Sequence, residues 1–179
     1  MAGNLRHCVH EWEKITSDPF ILDTVKHSHI DFSEGVAPFQ TYAPQPIKFN
    51  EHEKGIIEKE VQKLLDKGVI EPYLPVQNQY VSNIFIREKK DGSFRTILNL
   101  SQLNKSVEYY KFKMETLDSI IKLMRPNCFM ASLDLKDAYY SVPIATEDRV
   151  FLRFFWGDKL YQYTCFPNGL TSAPRKFTN

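Results

Sequence analysis

The sequence lacks the features that mark secreted, membrane-spanning and strongly charged proteins. Its 179 residues include only three cysteines, far apart in the chain, which argues against a disulfide framework and fits a reducing compartment. No apolar run approaches the roughly 20 residues of a membrane span, and the N-terminus lacks the apolar stretch of a signal peptide. The 23 basic and 22 acidic residues nearly cancel, so bulk charge indicates no partner. These absences predict a soluble intracellular chain, in the cytoplasm or nucleus, with no membrane contact.

Several common catalytic signatures are missing as well. No Gly-rich phosphate loop of the Rossmann or P-loop type occurs, and no Gly-x-Ser-x-Gly elbow is present, which argues against dinucleotide binding and Ser-His-Asp hydrolysis. The histidines near the N-terminus, together with Cys8, are not spaced like paired zinc ligands. A zinc site there is therefore only a minor alternative.

What the sequence does contain is enough apolar residues, 42%, to close a hydrophobic core. Helical patterns and antiparallel hairpins follow one another without a regular strand–helix–strand rhythm, which predicts an α+β fold. We divide the chain into an N-terminal helical appendage at residues 1–33, a proline-containing extended linker at 34–49 and the main domain at 50–179.

Two helix starts carry clear signals. Asp18 suits the N-cap of a helix, and Pro19 suits the first helical position after it. Asn50 and Glu53 have capping-box spacing, and Gly68 supplies a left-handed stop to the helix that they open. A further helix is predicted at about residues 116–124, and a loop entering a helix at 168–174.

Two hairpins are indicated by paired β-type runs that flank short turns. Asp91-Gly92 marks the first turn and Gly157-Asp158 the second. The runs are residues 81–87 and 95–100 in the first hairpin, and 150–156 and 159–165 in the second. Aromatic residues concentrate in the second hairpin and at residues 139–140, where core packing is the default interpretation and base stacking the alternative.

Asp134 is the sharpest candidate for chemistry. Residues 128–133 alternate apolar and small side chains, as a buried strand would, and a carboxylate at the end of such a strand can point rigidly into a cleft. Mg²⁺ often takes one or two carboxylates plus substrate phosphates, so Asp134 is half of a metal site, with Asp137 three residues on. The alternative, that Asp134 only caps the turn, has about equal weight.

The first hairpin is locally basic. Five basic residues accompany two acidic ones between residues 87 and 105, and such side chains can reach phosphates. Taken alone, this pattern favours ordinary solvated turn residues. The basic residues are Arg87, Lys89, Lys90, Arg95 and Lys105.

The order of these motifs resembles the N-terminal half of a retroelement reverse transcriptase, from about Asn50 onward. Ser-Leu-Asp-Leu-Lys-Asp-Ala-Tyr at residues 132–139 is similar to the first catalytic motif of the palm. Phe-Pro-Asn-Gly-Leu-Thr-Ser-Ala-Pro at 166–174 is similar to the next palm motif, and residues 60–72 and 84–105 resemble the opening and the hairpin of the fingers. Residues 11–25 further resemble the region before the polymerase in DIRS-type retrotransposons, and the overall pattern is closest to DIRS-type and gypsy-type elements.

The resemblance implies an RNA-directed DNA polymerase that extends a primer on an RNA or DNA template by two-metal nucleotidyl transfer. It implies that Asp134 and the carbonyl of Leu135 hold Mg²⁺, with Mn²⁺ as the alternative. It also implies that Tyr139 is the steric gate against ribonucleotides. The residues implied to contact the incoming dNTP are Lys89, Arg95, Asp137, Ala138, Tyr139 and Asn168.

One motif of these relatives is absent. They carry a Tyr-x-Asp-Asp hairpin after the helix that the Ser-Ala-Pro segment opens, whereas no adjacent aspartate pair occurs in these 179 residues. We therefore expect a fingers and partial palm fragment that is inactive alone, lacking the C-terminal palm, thumb and RNase H regions. Two alternatives stay open: a non-catalytic nucleic-acid-binding remnant, and a marginal remnant that exposes an apolar edge near residues 150–165.

Overall fold

The computed structural model describes residues 2–35, 37–89, 92–114, 116–132 and 134–178. Helices and antiparallel strands alternate irregularly along the chain, which confirms the predicted α+β class. The helices are α1 Val9–Glu13, α2 Pro19–His27, α3 Glu51–Asp66, α4 Leu117–Leu123 and α5 Ala173–Thr178. The strands are β1 Ile70–Tyr73, β2 Ile84–Glu88, β3 Phe94–Leu98, β4 Arg153–Trp156 and β5 Lys159–Tyr163.

Both predicted helix starts are confirmed. The Asp18 carboxylate accepts a hydrogen bond from the Phe20 amide at 2.8 Å, directly before α2. The Asn50 side chain accepts from the Glu53 amide at 2.9 Å, and the Glu53 carboxylate accepts from the Asn50 amide at 2.8 Å. These reciprocal bonds satisfy amides that have no partner within α3, and Gly68 ends this helix region with a φ of 67°.

The strands form two sheets. One is the β2–β3 hairpin, and the other has the antiparallel order β1-β5-β4. The second predicted hairpin is confirmed, with Trp156 paired to Lys159 across a turn in which Gly157 has a φ of 56°. In the first hairpin, Lys90 and Asp91 lie outside the described residues.

Strand β1 was not expected from the sequence, because it contains Pro72. Proline cannot donate a ladder hydrogen bond and is tolerated in strands mainly at sheet edges. β1 occupies such an edge, since it pairs with β5 alone within its sheet. The position of the strand in the sheet therefore explains how the proline is accommodated.

The hydrophobic core lies between α3 and the two sheets. It includes Ile57 and Leu64 of α3, Leu98 of β3, and Phe154 and Tyr163 of the three-stranded sheet. Three of the six aromatic residues of the second hairpin are buried there, Phe154, Tyr161 and Tyr163, and Phe151 and Trp156 pack against the core. Core packing is therefore the role of most of them. Phe155 of the edge strand β4 is 43% exposed, and the apolar edge expected near residues 150–165 stays a prediction.

Several residues between 2 and 33 belong to this core or pack against it. Ile30 is buried within it, and Ser28 is held on both sides by backbone bonds: its amide donates to the Pro143 carbonyl at 2.9 Å, and its carbonyl accepts from the Ala145 amide at 3.0 Å. In the segment that follows, the Gln40 side chain makes two hydrogen bonds to the Val81 backbone, at 2.8 and 2.9 Å. The boundaries of the three predicted regions stay a prediction.

The buried strand predicted at residues 128–133 is wrong. Residues 128–132 form no strand and are exposed, with Phe129 fully accessible to solvent, and Leu133 lies outside the described residues. A strand needs hydrogen bonds to a neighbour, and no described strand pairs with this segment. The preceding helix α4 is confirmed, but its apolar side chains are also exposed.

The three cysteines differ in accessibility, and we expect this to appear in a thiol titration at pH 8. Cys8 and Cys128 are exposed, whereas Cys165 is buried and its pKa is raised by burial to about 12. Because the thiolate is the reactive form, two thiols should react with a disulfide reagent in the native protein. The third should react only on unfolding. Three equivalent thiols in the native state would contradict this packing.

Among the described residues, no helix has the length and apolar character needed to cross a membrane.

Candidate functional site

A cleft of about 670 Å³ opens between α3, the β2–β3 hairpin and residues 136–140. It brings together side chains that are far apart in the sequence, including six of the eight site residues predicted from the motifs. These six are Lys89, Arg95, Asp137, Ala138, Tyr139 and Asn168. The cleft therefore brings together residues from the predicted fingers hairpin and from the two predicted palm motifs.

The cleft is predominantly basic. Five basic side chains line it against two acidic ones, Glu60 and Asp137. Two of the five are neutralised locally, since Lys63 pairs with Glu60 and Lys67 pairs with Asp137. In the described part of the chain no ion pair involves the other three, Lys89, Arg95 and Lys136. An uncompensated positive surface of this kind favours an anionic ligand.

The hairpin places Arg95 opposite another cation. Arg87 and Arg95 are register partners in the β2–β3 ladder, and like charges directly opposite each other in a sheet are destabilising. Lys89 follows β2 directly, and its amide donates to the Ser93 carbonyl at 2.7 Å, which holds the start of the turn. The hairpin thus places two arginines side by side next to the cleft.

Asp137 turns the chain into the cleft wall. It adopts a left-handed conformation, with a φ of 55°, immediately before a 3₁₀ helix that spans Ala138–Ser141. Aspartate is among the residues that tolerate this conformation best. Its carboxylate accepts from the Lys67 ammonium, so the turn is joined to the end of α3 across the cleft.

Two tyrosines follow this turn, and both line the cleft. The ring of Tyr139 packs perpendicular to Phe177 of α5, with centroids 5.6 Å apart, which fixes its position. The hydroxyl of Tyr140 accepts a hydrogen bond from the Asn168 side chain at 3.1 Å. Burial raises the pKa of Tyr140 well above its ordinary value, so its hydroxyl stays protonated at neutral pH.

The loop that carries Asn168 approaches the β2–β3 hairpin closely. Gly169 has a φ of 103°, and a β-carbon there would lie 3.4 Å from the Leu98 carbonyl oxygen. The Gly169 carbonyl in turn accepts from the Asn104 side chain at 2.8 Å. Only glycine adopts this backbone conformation without strain, so Gly169 sets the position of Asn168 against the hairpin.

Asp134 and Leu135 are the two predicted site residues that do not line the cleft. Both are exposed, because the strand expected to carry Asp134 does not form. In the described part of the chain, no group of three or more His, Cys, Asp or Glu side chains could hold a metal ion. That holds for the N-terminal histidines as well.

Sequence reasoning missed the contribution of α3 to the cleft. Lys63 and Lys67 are four residues apart and share one helix face, and the buried Leu64 lines the cleft beside them. Glu60 lies on the same face as these two lysines. The spacing of these three charged residues could have indicated a shared helix face. It could not indicate that the face borders this cleft, because that depends on the fold.

No protein-family model matches the chain. Among curated proteins, the enzymatic polyprotein of cauliflower mosaic virus (strain Strasbourg) is 24% identical over 144 residues, 78% of this chain. The Pro-Pol polyprotein of simian foamy virus type 1 is 27% identical over 143 residues, 77% of the chain. The retrovirus-related Pol polyprotein from transposon 412 of Drosophila melanogaster is 26% identical over 127 residues, 68% of the chain. The chain spans 21%, 12% and 10% of these relatives, respectively.

Solved structures that are similar to this chain are also those of viral polymerase proteins. A mutant of the prototype foamy virus protease-reverse transcriptase superposes with a TM-score of 0.67 at 21% identity, over 85% of this chain and 20% of that protein. A foamy viral protease-reverse transcriptase in complex with double-stranded DNA superposes with a TM-score of 0.62 at 23% identity, over 85% of this chain and 25% of that protein. The reverse transcriptase fingers and palm fold is thereby shown, and the resemblance found in the motifs is confirmed. The narrower likeness to DIRS-type and gypsy-type elements stays a prediction.

Proposed function

We propose that this chain forms the fingers and the first part of the palm of an RNA-directed DNA polymerase, and that its basic cleft receives the incoming dNTP. The observation that carries the proposal is the convergence of six motif residues on one cleft, with three cations that form no ion pair in the described part of the chain. Relatives of similar sequence are Pol polyproteins. Because the chain spans a fifth or less of most of them, the activity of the whole enzyme belongs to the proposal.

The six predicted site residues that line the cleft have different roles in this proposal. Lys89 and Arg95 bind the triphosphate through charge-assisted hydrogen bonds, and the backbone at Asp137 and Ala138 lies beside it. The ring of Tyr139, fixed by its packing on α5, occludes the space that a ribose 2′-hydroxyl needs and so favours deoxynucleotides. Asn168, which is hydrogen-bonded to Tyr140, contacts the nucleotide beside Tyr139.

Asp134 fits one ligand of a hard cation. Its carboxylate is exposed and has no hydrogen-bond or ion-pair partner in the described part of the chain, whereas Asp137 is engaged by Lys67. Asp134 and the carbonyl of Leu135 would hold Mg²⁺ or Mn²⁺ together with substrate phosphates. Such an ion neutralises charge on the attacking and leaving oxygens of phosphoryl transfer. These 179 residues contain no adjacent aspartate pair, so we expect them to bind substrates without extending a primer.

The second candidate function is nucleic-acid binding without catalysis. The net positive charge of the cleft favours it equally, because phosphate contacts from lysine and arginine suffice for binding of this kind. In either case the partner is a primed RNA or DNA template. The two candidates differ in whether the cleft recognises a free dNTP.

Binding measurements on the 179-residue chain test both candidates. We expect its affinity for a primed template, measured by fluorescence anisotropy, to fall linearly on a logarithmic scale between 50 and 200 mM salt, roughly in proportion to the phosphates contacted. We also expect calorimetry to detect dATP binding. Template binding without dATP binding would refute the dNTP site and support the non-catalytic alternative, and the absence of both would refute both candidates.

A further inference from the structure

The first described residues form hydrogen bonds to both walls of the cleft but do not line it. We call residues 2–5 the N-terminal strap. The Ala2 amide donates to the Lys67 carbonyl at 3.1 Å, at the end of α3, and the Gly3 amide donates to the Tyr140 carbonyl at 2.7 Å, on the opposite wall. Ala2 and Leu5 also pack against the hydrophobic core. The strap is therefore held by the hydrophobic core and by one hydrogen bond to each wall of the cleft.

The strap lies directly behind the residues that line the cleft. A second cavity of about 370 Å³ is bounded by Ala2 and Asn4 on one side and by Lys67, Asp137 and Tyr140 on the other. The latter three also line the basic cleft. These residues thus border both cavities, whereas Ala2 and Asn4 of the strap border only the second.

Glycine is required at position 3. Its φ is 62°, and a β-carbon there would lie 3.2 Å from the β-carbon of Pro143, which is tighter than ordinary van der Waals contact. An alanine would therefore be strained in its backbone and would push the strap away from Pro143. Pro143 is three residues beyond Tyr140. A shift of Gly3 away from Pro143 should therefore lengthen the hydrogen bond from the Gly3 amide to the Tyr140 carbonyl.

A chain of hydrogen bonds leads from the strap into the cleft. The Gly3 amide holds the backbone of Tyr140, and the Tyr140 hydroxyl accepts from the Asn168 side chain at 3.1 Å. The half-buried Tyr140 stays protonated at neutral pH because desolvation raises the pKa of its hydroxyl, so this bond does not depend on pH in the physiological range. A displacement of Gly3 should therefore move Tyr140, and with it the Asn168 side chain that lines the cleft.

We infer that the N-terminal strap is a positioning element of the nucleotide cleft, acting through Lys67 on one wall and through Tyr140 and Asn168 on the other. This inference rests on the proposed function of the cleft. The strap touches no substrate itself. Among the hydrogen bonds and ion pairs of the described residues, the two walls that it holds are otherwise joined by the Lys67–Asp137 ion pair, which is half-exposed and therefore weak.

The test compares two glycine substitutions that carry the same backbone penalty. Gly3 and Gly35 have φ values of 62° and 67°, but a β-carbon at Gly35 meets nothing within 4 Å. We expect Gly3→Ala and Gly35→Ala each to lower the melting temperature by about 2–4 °C. Only Gly3→Ala should weaken dATP binding, by about 3- to 10-fold in calorimetry well below the melting temperature. If Gly3→Ala does not fold, a chain lacking residues 1–3 replaces it, because that deletion removes the bonds without adding a clash.

A second variant isolates the end of the hydrogen-bond chain. Tyr140→Phe removes only the hydroxyl that holds Asn168, so we expect about 3- to 10-fold weaker dATP binding and unchanged binding of inorganic tripolyphosphate. Equal dATP affinity of the wild type, Gly3→Ala and Tyr140→Phe would overturn the inference. A wild-type chain that does not bind dATP would instead overturn the proposed function, which keeps the two failures distinct.

Discussion

The double substitution Lys89→Ala and Arg95→Ala is expected to weaken dATP binding by about 10²- to 10⁴-fold. Hydrogen bonds to a charged partner each contribute about 1.5–3 kcal/mol, and these two cations line the cleft without an ion pair in the described part of the chain. Two such contacts therefore account for about 3–6 kcal/mol, at 1.4 kcal/mol per tenfold change. Isothermal titration calorimetry at 50 mM salt measures the difference.

Lys54→Ala is the matched control for this loss. Lys54 is also an exposed lysine, but it lies on α3 in an ion pair with Glu51 and does not line the cleft. Its replacement removes one positive charge and should leave dATP affinity unchanged. Equal losses in the control and in the double variant would show that overall charge, and not the cleft, determines binding. Melting temperatures near that of the wild type would confirm that both variants are folded, because these side chains are exposed.

Asp134→Asn is expected to lower dNTP incorporation by about 10³-fold or more, in a polypeptide that continues this chain through a Tyr-x-Asp-Asp hairpin. Removing one preorganised electrostatic contact to a developing charge commonly costs about 10²- to 10³-fold, and a lost metal carboxylate also weakens binding of the ion. Asparagine keeps the shape and loses the charge. Single-nucleotide primer extension with Mg²⁺ or Mn²⁺ provides the measurement.

Asp118→Asn is the corresponding control, because Asp118 is an exposed carboxylate on α4 and has no place in the proposed site. Its activity should match that of the parent polypeptide. Since Asp134 is exposed, its replacement should leave the melting temperature unchanged. Retained incorporation in Asp134→Asn would remove this residue from the catalytic centre, while the assignment of the nucleotide cleft would stand.

The cleft explains why a nearly neutral protein can offer a basic site. Its cations come from α3, the β2–β3 hairpin and the turn at Lys136, segments whose charges are balanced elsewhere on the surface. The cross-strand pair of Arg87 and Arg95 is unfavourable without an anion. A bound triphosphate would relieve this repulsion, so part of the hairpin's stability is expected to depend on the ligand.

Local sequence signals determined much of the secondary structure. The capping box of Asn50 and Glu53 and the turn glycine Gly157 act over a few residues, so their outcome does not depend on the rest of the fold. The order of the motifs likewise identified the kind of protein before any contact was known. It also named six residues that converge on one cleft.

Only the tertiary structure decided the features that depend on partners distant in sequence. Residues 128–132 have a strand-like pattern but remain exposed, because a strand forms only where a neighbour supplies its hydrogen bonds. Pro72 enters β1 because that strand lies at a sheet edge. The lysines of α3 and the strap at Gly3 become part of the site through contacts across more than 60 residues. Sequence thus determined the local elements and the chemistry carried by the motifs, while packing decided which side chains meet.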